Sequence, residues 1–195
     1  MRFALPRGAE RAQLVGILRR PPRQAARRLL GQVLLRRVGR RVVAARIVET
    51  EAYLGADDPA AHASRGRTRR TEPLFGPPGT LYVYFVYGMH HCLNLAVQES
   101  GTAGCVLIRA AEPLPGSGLD PRALSGPGRL CRALGLDTRL SGAHVFDRRT
   151  GLTLRRGESP GRIATSPRVG ISRAVLRPLR FHDPASPAVS RVTLG

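Results

Sequence analysis

The run VETEAY sets Glu49, Glu51 and Tyr53 on alternate positions of a segment that is otherwise largely apolar. Alternate residues of an extended strand share a face, so two carboxyls and a phenol lie side by side there. Such carboxylates have two readings. Either they sit at a solvated edge, the ordinary place for charged residues, or one of them is a general base held beside a cleft, its pKa raised by partial burial. Arg109, in the apolar run CVLIRAAEPL, is a partner that could pair with such a carboxylate and orient a water.

A second concentration of chemistry lies in LYVYFVYG. The chain has four tyrosines and no tryptophan, and Tyr82, Tyr84 and Tyr87 all fall here. Tyrosine is a good strand former, and a half-buried sheet accommodates it without further purpose. Alternation puts Tyr82 and Tyr84 on one face and Tyr87 on the other, at the turn before Gly88. An aromatic at a hairpin tip of a very basic protein suits a wedge into a base stack. One on a strand face can line a pocket, where stacking on a base contributes roughly 1–3 kcal/mol.

Several chemistries are disfavoured. His90, His91 and Cys92 are consecutive, so on a strand they point to opposite faces, and no second ligand pair has zinc spacing; no metal is expected. GPPGT is not a phosphate loop, because no Gly-Lys-Ser/Thr follows it. Cys92, Cys105 and Cys131 are an odd, widely spaced set without a CxxC pair, which reads as free thiols in a reducing compartment. All 32 basic residues are arginine, so no lysine can form a Schiff base. The cluster RGRTRR (Arg65, Arg67, Arg69, Arg70) would ordinarily be a solvated charged face; the overall charge turns it toward phosphate contacts.

The elements that must hold these groups follow from pattern and punctuation. A chain of 195 residues with 42% hydrophobic content suits one folded domain with a sizeable core. A net charge of +19 favours an anionic polymer, nucleic acid first. No apolar run reaches the length of a membrane span and the first residues lack the apolar core of a secretory signal, so cytoplasmic residence is expected. Residues 1–20 are basic and read as a loosely held arm with one or two helical turns. PRQAARRLLG reads as a short helix with proline at its start and Gly31 past its end. QVLLRRVGRRVVAARIVETEAYL reads as a hairpin turning near Gly39. Residues 55–79 form a long Gly/Pro/Ala/Arg-rich segment, of the kind that is usually functional or disordered. LYVYFVYG, CLNLAV and AGCVLIRAAEPL are predicted strands, and GPGRLCRALGL a helix stopping at Gly135. The fold class is α/β (α+β): residues 21–195 as a single domain, an antiparallel sheet core with a few flanking helices and a protruding hairpin.

Taken together, ARIVETEAYLG, AAHASRG, PGTLYVYFVYGM, CLNLAV, CVLIRAAEPL, GPGRLCRAL, RVGISRA and PLRFHDPASPAVS resemble, in order, segments of the 3-methyladenine (alkyladenine, alkylpurine) DNA glycosylase family in its compact bacterial form. The resemblance covers roughly residues 16–191. It implies base excision: a damaged purine in double-stranded DNA is flipped out and its N-glycosidic bond hydrolysed, with no cofactor, by what is expected to be a monomer. It implies Glu51 as the base that activates water, and Arg109 with the Val169 carbonyl as groups holding that water. Tyr53 would stack on one face of the base, with His62 and Tyr84 on the other. Asn94 would sit at the pocket floor and disfavour the amino group of guanine. Tyr87 would be the intercalating wedge with Met89 beside it; Tyr82 is left unassigned and is expected to pack structurally. His90, His91 and Cys92 depart from the more aromatic residues of vertebrate members. The substrates implied are 3-methyladenine and 7-methylguanine, with hypoxanthine and ethenoadenine beyond them. Without lysine, strand cleavage through an amine is not expected. Two other classes remain: a non-catalytic basic nucleic-acid-binding protein, and a metal-dependent nuclease, which a chelator would silence.

Overall fold

A computed structural model describes residues 2–191. Its organising element is the hairpin of β1 (Val33–Val38) and β2 (Arg41–Tyr53), which turns at Gly39 with Val38 opposite Arg41. Gly39 has a φ of 59°, a left-handed conformation that costs glycine little. Val, Ile and Thr recur along β2, and its residues from Val43 onward are mostly buried, as befits a central strand.

The remaining strands are β3 (Leu81–Val86), β4 (His90–Val97), β5 (Gly104–Pro113), β6 (Leu152–Arg155), β7 (Ala164–Ser166) and β8 (Arg180–His182). The main order is β3-β4-β5-β2-β1-β6, and every pairing is antiparallel. The sheet forks at β2. One edge bonds to β5 along residues 45–53; the other bonds to β1 in its first half and to β8 at Glu49–Glu51. The stretch that carries the two glutamates is thus paired on both edges. The β3–β4 hairpin lies at the far end of the sheet, its tip exposing Phe85, Tyr87 and Met89.

Among the described residues, three α-helices cover the sheet. In α2 (Pro22–Leu29), proline sits at the first turn, and Gly31 follows with a φ of 85°. A Cβ on Gly31 would collide with the carbonyl of Glu158, so the close passage of these two backbones demands glycine. The Thr50 hydroxyl donates to the carbonyl of Ala26 and ties α2 to β2. In α3 (Pro127–Ala133), the helix ends just before Gly135, which has a φ of 56°.

The basic segment 1–20 differs from the loose arm read in the sequence. It contains α1 (Gly8–Leu18), an 11-residue helix of about three turns. Leu14 and Leu18, one turn apart, are fully buried, and the Gln98 backbone amide donates to the Leu18 carbonyl at 2.9 Å. Arg155 on β6 donates to Glu10 at 2.7 Å. The charge of the segment conceals an apolar ridge at i, i+4 spacing, and that ridge docks it. Leu18→Ala is accordingly expected to cost about 2–5 kcal/mol in a urea titration; an unchanged midpoint would show that the helix adds nothing to the core.

Residues 55–79 are stitched down by short 3₁₀ turns at His62–Arg65 and Glu72–Phe75 and by a buried ion pair between Asp58 and Arg168. Among the described residues, no helix is long and apolar enough to cross a membrane.

Candidate active site

The β2–β5 ladder is irregular where the glutamates sit. Ile47 faces Ala111, Glu49 faces Ala110 and Thr50 faces Ile108, so Val48 on β2 and Arg109 on β5 each stand as the extra residue of a bulge. Bulges re-aim side chains, and this one turns Arg109 onto both carboxylates. Its Nε donates to Glu49 Oε1 at 3.1 Å, and its Nη1 lies 3.2 Å from Glu51 Oε1.

Glu51 is fully buried. Besides Arg109, its Oε1 accepts the Val169 amide at 2.8 Å, and its Oε2 accepts the Tyr53 hydroxyl at 2.9 Å. Burial raises its pKa, and the positive Arg109 and the two hydrogen bonds only partly offset that, so the carboxyl stays above its usual value. Glu49, equally buried, goes the other way. Burial works against its charge, but Arg109, Arg180 and Ser190 together hold its pKa below the usual value. Two neighbouring carboxyls thus carry opposed shifts, set by their different partners.

Above Glu51 opens a cavity of about 440 Å³, walled by Tyr53, Arg109, Val169, Tyr84, His62 and Asn94. That volume suits a small-molecule site. Glu51 lies behind the wall and is bonded to three of its members. Glu51, Arg109, Val169, Tyr53, His62, Tyr84 and Asn94 therefore converge, whereas Met89 is exposed on the hairpin tip and is not part of the wall. Val169 meets Glu51 through its amide; the role expected from the sequence belongs to its carbonyl.

Tyr82 and Tyr84 share a face as alternation requires, with ring centroids 5.4 Å apart. Tyr82 has more than a packing role: its hydroxyl is 2.9 Å from His62 Nδ1, and it lines the cavity. His62 also meets Tyr84 edge to face, centroids 4.6 Å apart. Burial and the nearby Arg70 and Arg65 depress the His62 pKa, so a neutral imidazole faces the cavity at neutral pH. Asn94 is buried, its amide nitrogen donating to the carbonyls of Tyr82 at 3.1 Å and Cys92 at 3.4 Å.

Tyr87 corrects the alternation argument. It does not face away from the other tyrosines but lines the same cavity at its mouth. The reason is local: Tyr87 belongs to the turn, with a φ of 54°, and Gly88 follows with 67°. Successive left-handed residues closed by the Met89 amide on the Val86 carbonyl, 3.2 Å away, have the character of a type I′ hairpin turn. Tyrosine is a costly choice there, and strained residues of this kind gather at functional sites. Its ring is 76% exposed, so core packing does not account for it.

The RGRTRR cluster divides. Arg65 and Arg70 line the cavity, and Arg70 approaches the Tyr84 ring at 5.7 Å. Arg67 is instead paired with Glu72 through two bonds of 2.7 and 2.5 Å, which neutralises it locally. Arg69 is exposed. His90 and His91 open strand β4, and His91 packs against Phe85 at 4.9 Å. Among the described residues, no group of three His, Cys, Asp or Glu side chains is placed to hold a metal ion.

Comparison with known proteins meets this geometry. Residues 16–187 match the model of the methylpurine-DNA glycosylase family. A protein of Methanocella arvoryzae is 45% identical over 189 residues, spanning 90% of this chain and 94% of its own. Another, of Koribacter versatilis, is 46% identical over 184 residues, spanning 88% and 89%. A third, of Chlorobaculum parvum, is 45% identical over 185 residues, spanning 90% and 88%. The names of all three carry the words 3-methyladenine DNA glycosylase.

The chain belongs to the methylpurine-DNA glycosylase family. That membership supports DNA glycosylase activity. In this glycosylase two features had no local signal in the sequence. The Arg168 side chain is completely buried, donates to the Ala52 carbonyl at 3.0 Å and to Asp58 Oδ1 at 2.8 Å, and lies 4.6 Å over the Tyr53 ring. The partners Asp58 and Arg168 are 110 residues apart. Ser190, which bonds Glu49, comes from the far end of the chain. Only tertiary contact reveals either.

Proposed function

We propose that this glycosylase swings alkylated or deaminated purines out of duplex DNA and hydrolyses their N-glycosidic bond with a water deprotonated by Glu51, leaving an abasic site in an unbroken strand. One observation carries the proposal: a fully buried carboxyl with a raised pKa is bonded to Tyr53, Arg109 and Val169, which wall an aromatic cavity.

The target base must leave the stack before chemistry, at a cost of a few kcal/mol that is smaller for a badly pairing base. Tyr87 offsets part of it by entering the gap, with Met89 alongside. In the cavity the purine lies between Tyr53 on one side and Tyr84 with His62 on the other, over Asn94. Ring stacking serves any purine. A cationic one, alkylated at N3 or N7, also gains cation–π attraction of roughly 0.5–2 kcal/mol. Arg168 behind Tyr53 and Arg70 near Tyr84 already draw on those rings, which tempers that gain; a neutral lesion such as hypoxanthine lacks it and must also take up a proton as it departs. As the glycosidic bond lengthens, the sugar takes on oxocarbenium character. The Glu51 carboxylate stabilises that charge and accepts the proton of the water, while Arg109 orients it. The absence of lysine from the chain favours direct hydrolysis over a Schiff base.

The test is base release from duplexes carrying single lesions. Free 3-methyladenine should appear while the strand stays intact until treated with hot alkali. Trapping of a covalent DNA adduct by borohydride would overturn the hydrolytic route. The wedge has its own test. Tyr87→Gly relieves a left-handed non-glycine residue and should leave the melting temperature equal or higher, yet it should slow base release several-fold on a paired lesion and little on an unpaired one. Equal slowing on both would argue against a role in extrusion.

A further inference from the structure

Glu49 is not needed for the chemistry just described, yet it is among the most heavily bonded side chains in the protein. Its Oε1 accepts Arg109 Nε at 3.1 Å, Arg180 Nε at 2.6 Å and the Ser190 hydroxyl at 2.8 Å, while its Oε2 accepts the Ser190 amide at 2.8 Å. The donors come from β5, from β8 and from the segment that follows β8. Ser190 Oγ also lies 3.4 Å from Arg109 Nη2. The Arg109 guanidinium therefore spends Nε and Nη2 on Glu49 and Ser190, and turns Nη1 to Glu51 at 3.2 Å.

We infer that Glu49, seated by Ser190 and Arg180, is a positioning residue that holds the inner edge of Arg109 so that a single arm of its guanidinium reaches Glu51. The inference rests on the reading of Glu51 as the base. It also explains why the arginine stands at a bulge. A planar fork prefers to grip one carboxylate with two donors, and a bidentate grip on Glu51 would quench it as a base. Glu49 and Ser190 between them take Nε and Nη2 of that fork and leave Nη1 for Glu51, with Arg180 balancing the charge that Glu49 brings.

The groups facing this pair come from every element packed against it. Glu51 is faced by Tyr53 on β2, Arg109 on β5, Cys92 on β4, and Arg168 with the Val169 amide on the segment between β7 and β8. Glu49 is faced by Arg109, by Arg180 and His182 of β8, and by Ser190. Glu49→Gln removes one negative charge among these. It frees the arginine fork to close on Glu51 and removes a repulsion that favours protonated Glu51, so both changes lower the Glu51 pKa.

The experiment measures single-turnover base release against pH, and affinity for a 3-methyladenine duplex, in four variants. Glu49→Gln should bind the duplex within about twofold of wild type, lose at least tenfold in rate at the plateau, and show its acidic limb at lower pH. Glu49→Asp, which restores the charge on a shorter arm, should return the limb toward wild type and recover only part of the rate. Ser190→Ala changes no charge and keeps the backbone amide that holds Glu49; it should stay folded with a melting temperature lower by several degrees and lose roughly threefold or more in rate. A Glu49→Gln rate equal to wild type, or a loss with an unmoved acidic limb, would overturn the inference, as would a wild-type rate for Ser190→Ala. Glu51→Gln separates this from the underlying reading. If it turns over normally, Glu51 is not the base; if it is inactive while Glu49→Gln behaves as wild type, only the positioning role fails.

Discussion

Glu51→Gln is expected to bind a lesion duplex about as tightly as the wild-type chain and to release base roughly 10²–10⁴-fold more slowly, a loss on the order of 3–5 kcal/mol in the barrier. The amide is nearly the shape of the carboxyl and keeps an oxygen for the Val169 amide, so the cavity above it should be undisturbed. What disappears is the capacity to take a proton and to face a developing oxocarbenium with negative charge. The same substitution has a consequence for stability. Burial raises the Glu51 pKa in the folded chain, so its contribution to stability is whole below the unfolded carboxyl range and is lost as pH rises through the folded value. Glutamine has no charge to lose. The variant should melt above wild type at neutral pH, and the difference should close in acid. Normal turnover would remove Glu51 from the mechanism; a lower melting point at neutral pH would show that its charge stabilises the fold.

The second large effect concerns salt. Neutralising about six phosphates gives a log–log slope of binding against salt near −5, so a rise from about 50 to 200 mM should weaken affinity roughly 10³-fold. The 32 arginines supply the means, but not all of them are available. Arg67 is held by Glu72, Arg139 by Asp137 and Arg149 by Asp147. Arg46, Arg109, Arg168 and Arg180 are engaged in ion pairs that are at least three-quarters buried on the arginine side. Arg65, Arg69 and Arg70, around or beside the cavity mouth, are better placed for phosphates. Replacing Arg69 by glutamine should reduce the slope by about one unit, whereas replacing Arg67 should change it less. A flat salt response would mean that the charge serves something other than DNA.

Much of this is legible in the sequence because it is encoded locally. The period of two in VETEAY places Glu49, Glu51 and Tyr53 on one face, and Gly39, Gly31 and Gly135 punctuate the elements where their left-handed backbones are needed. The resemblance to the family names the pocket residues, and the fold brings them together. Other features are written in contacts between distant segments. Nothing near Arg168 announces that it will lie under Tyr53, and nothing near Ser190 announces Glu49. Alternation assigns Tyr87 to the wrong face because it holds for strands and fails at a turn with positive φ. Composition underrates α1 because it sums charge, whereas docking depends on Leu14 and Leu18 falling one turn apart.

The placement of β2 has one more consequence. Around Glu49–Glu51 it is bonded along both edges, and α2 is tied to it through Thr50. Tyr87, the proposed wedge, rides by contrast on a two-stranded tip that is open to solvent. Amide hydrogens near the glutamates should be the last to trade with deuterium, and those near Tyr87 among the first. Under the proposed roles, warming should loosen the hold on the duplex first and reach the glutamates only with collapse of the whole domain.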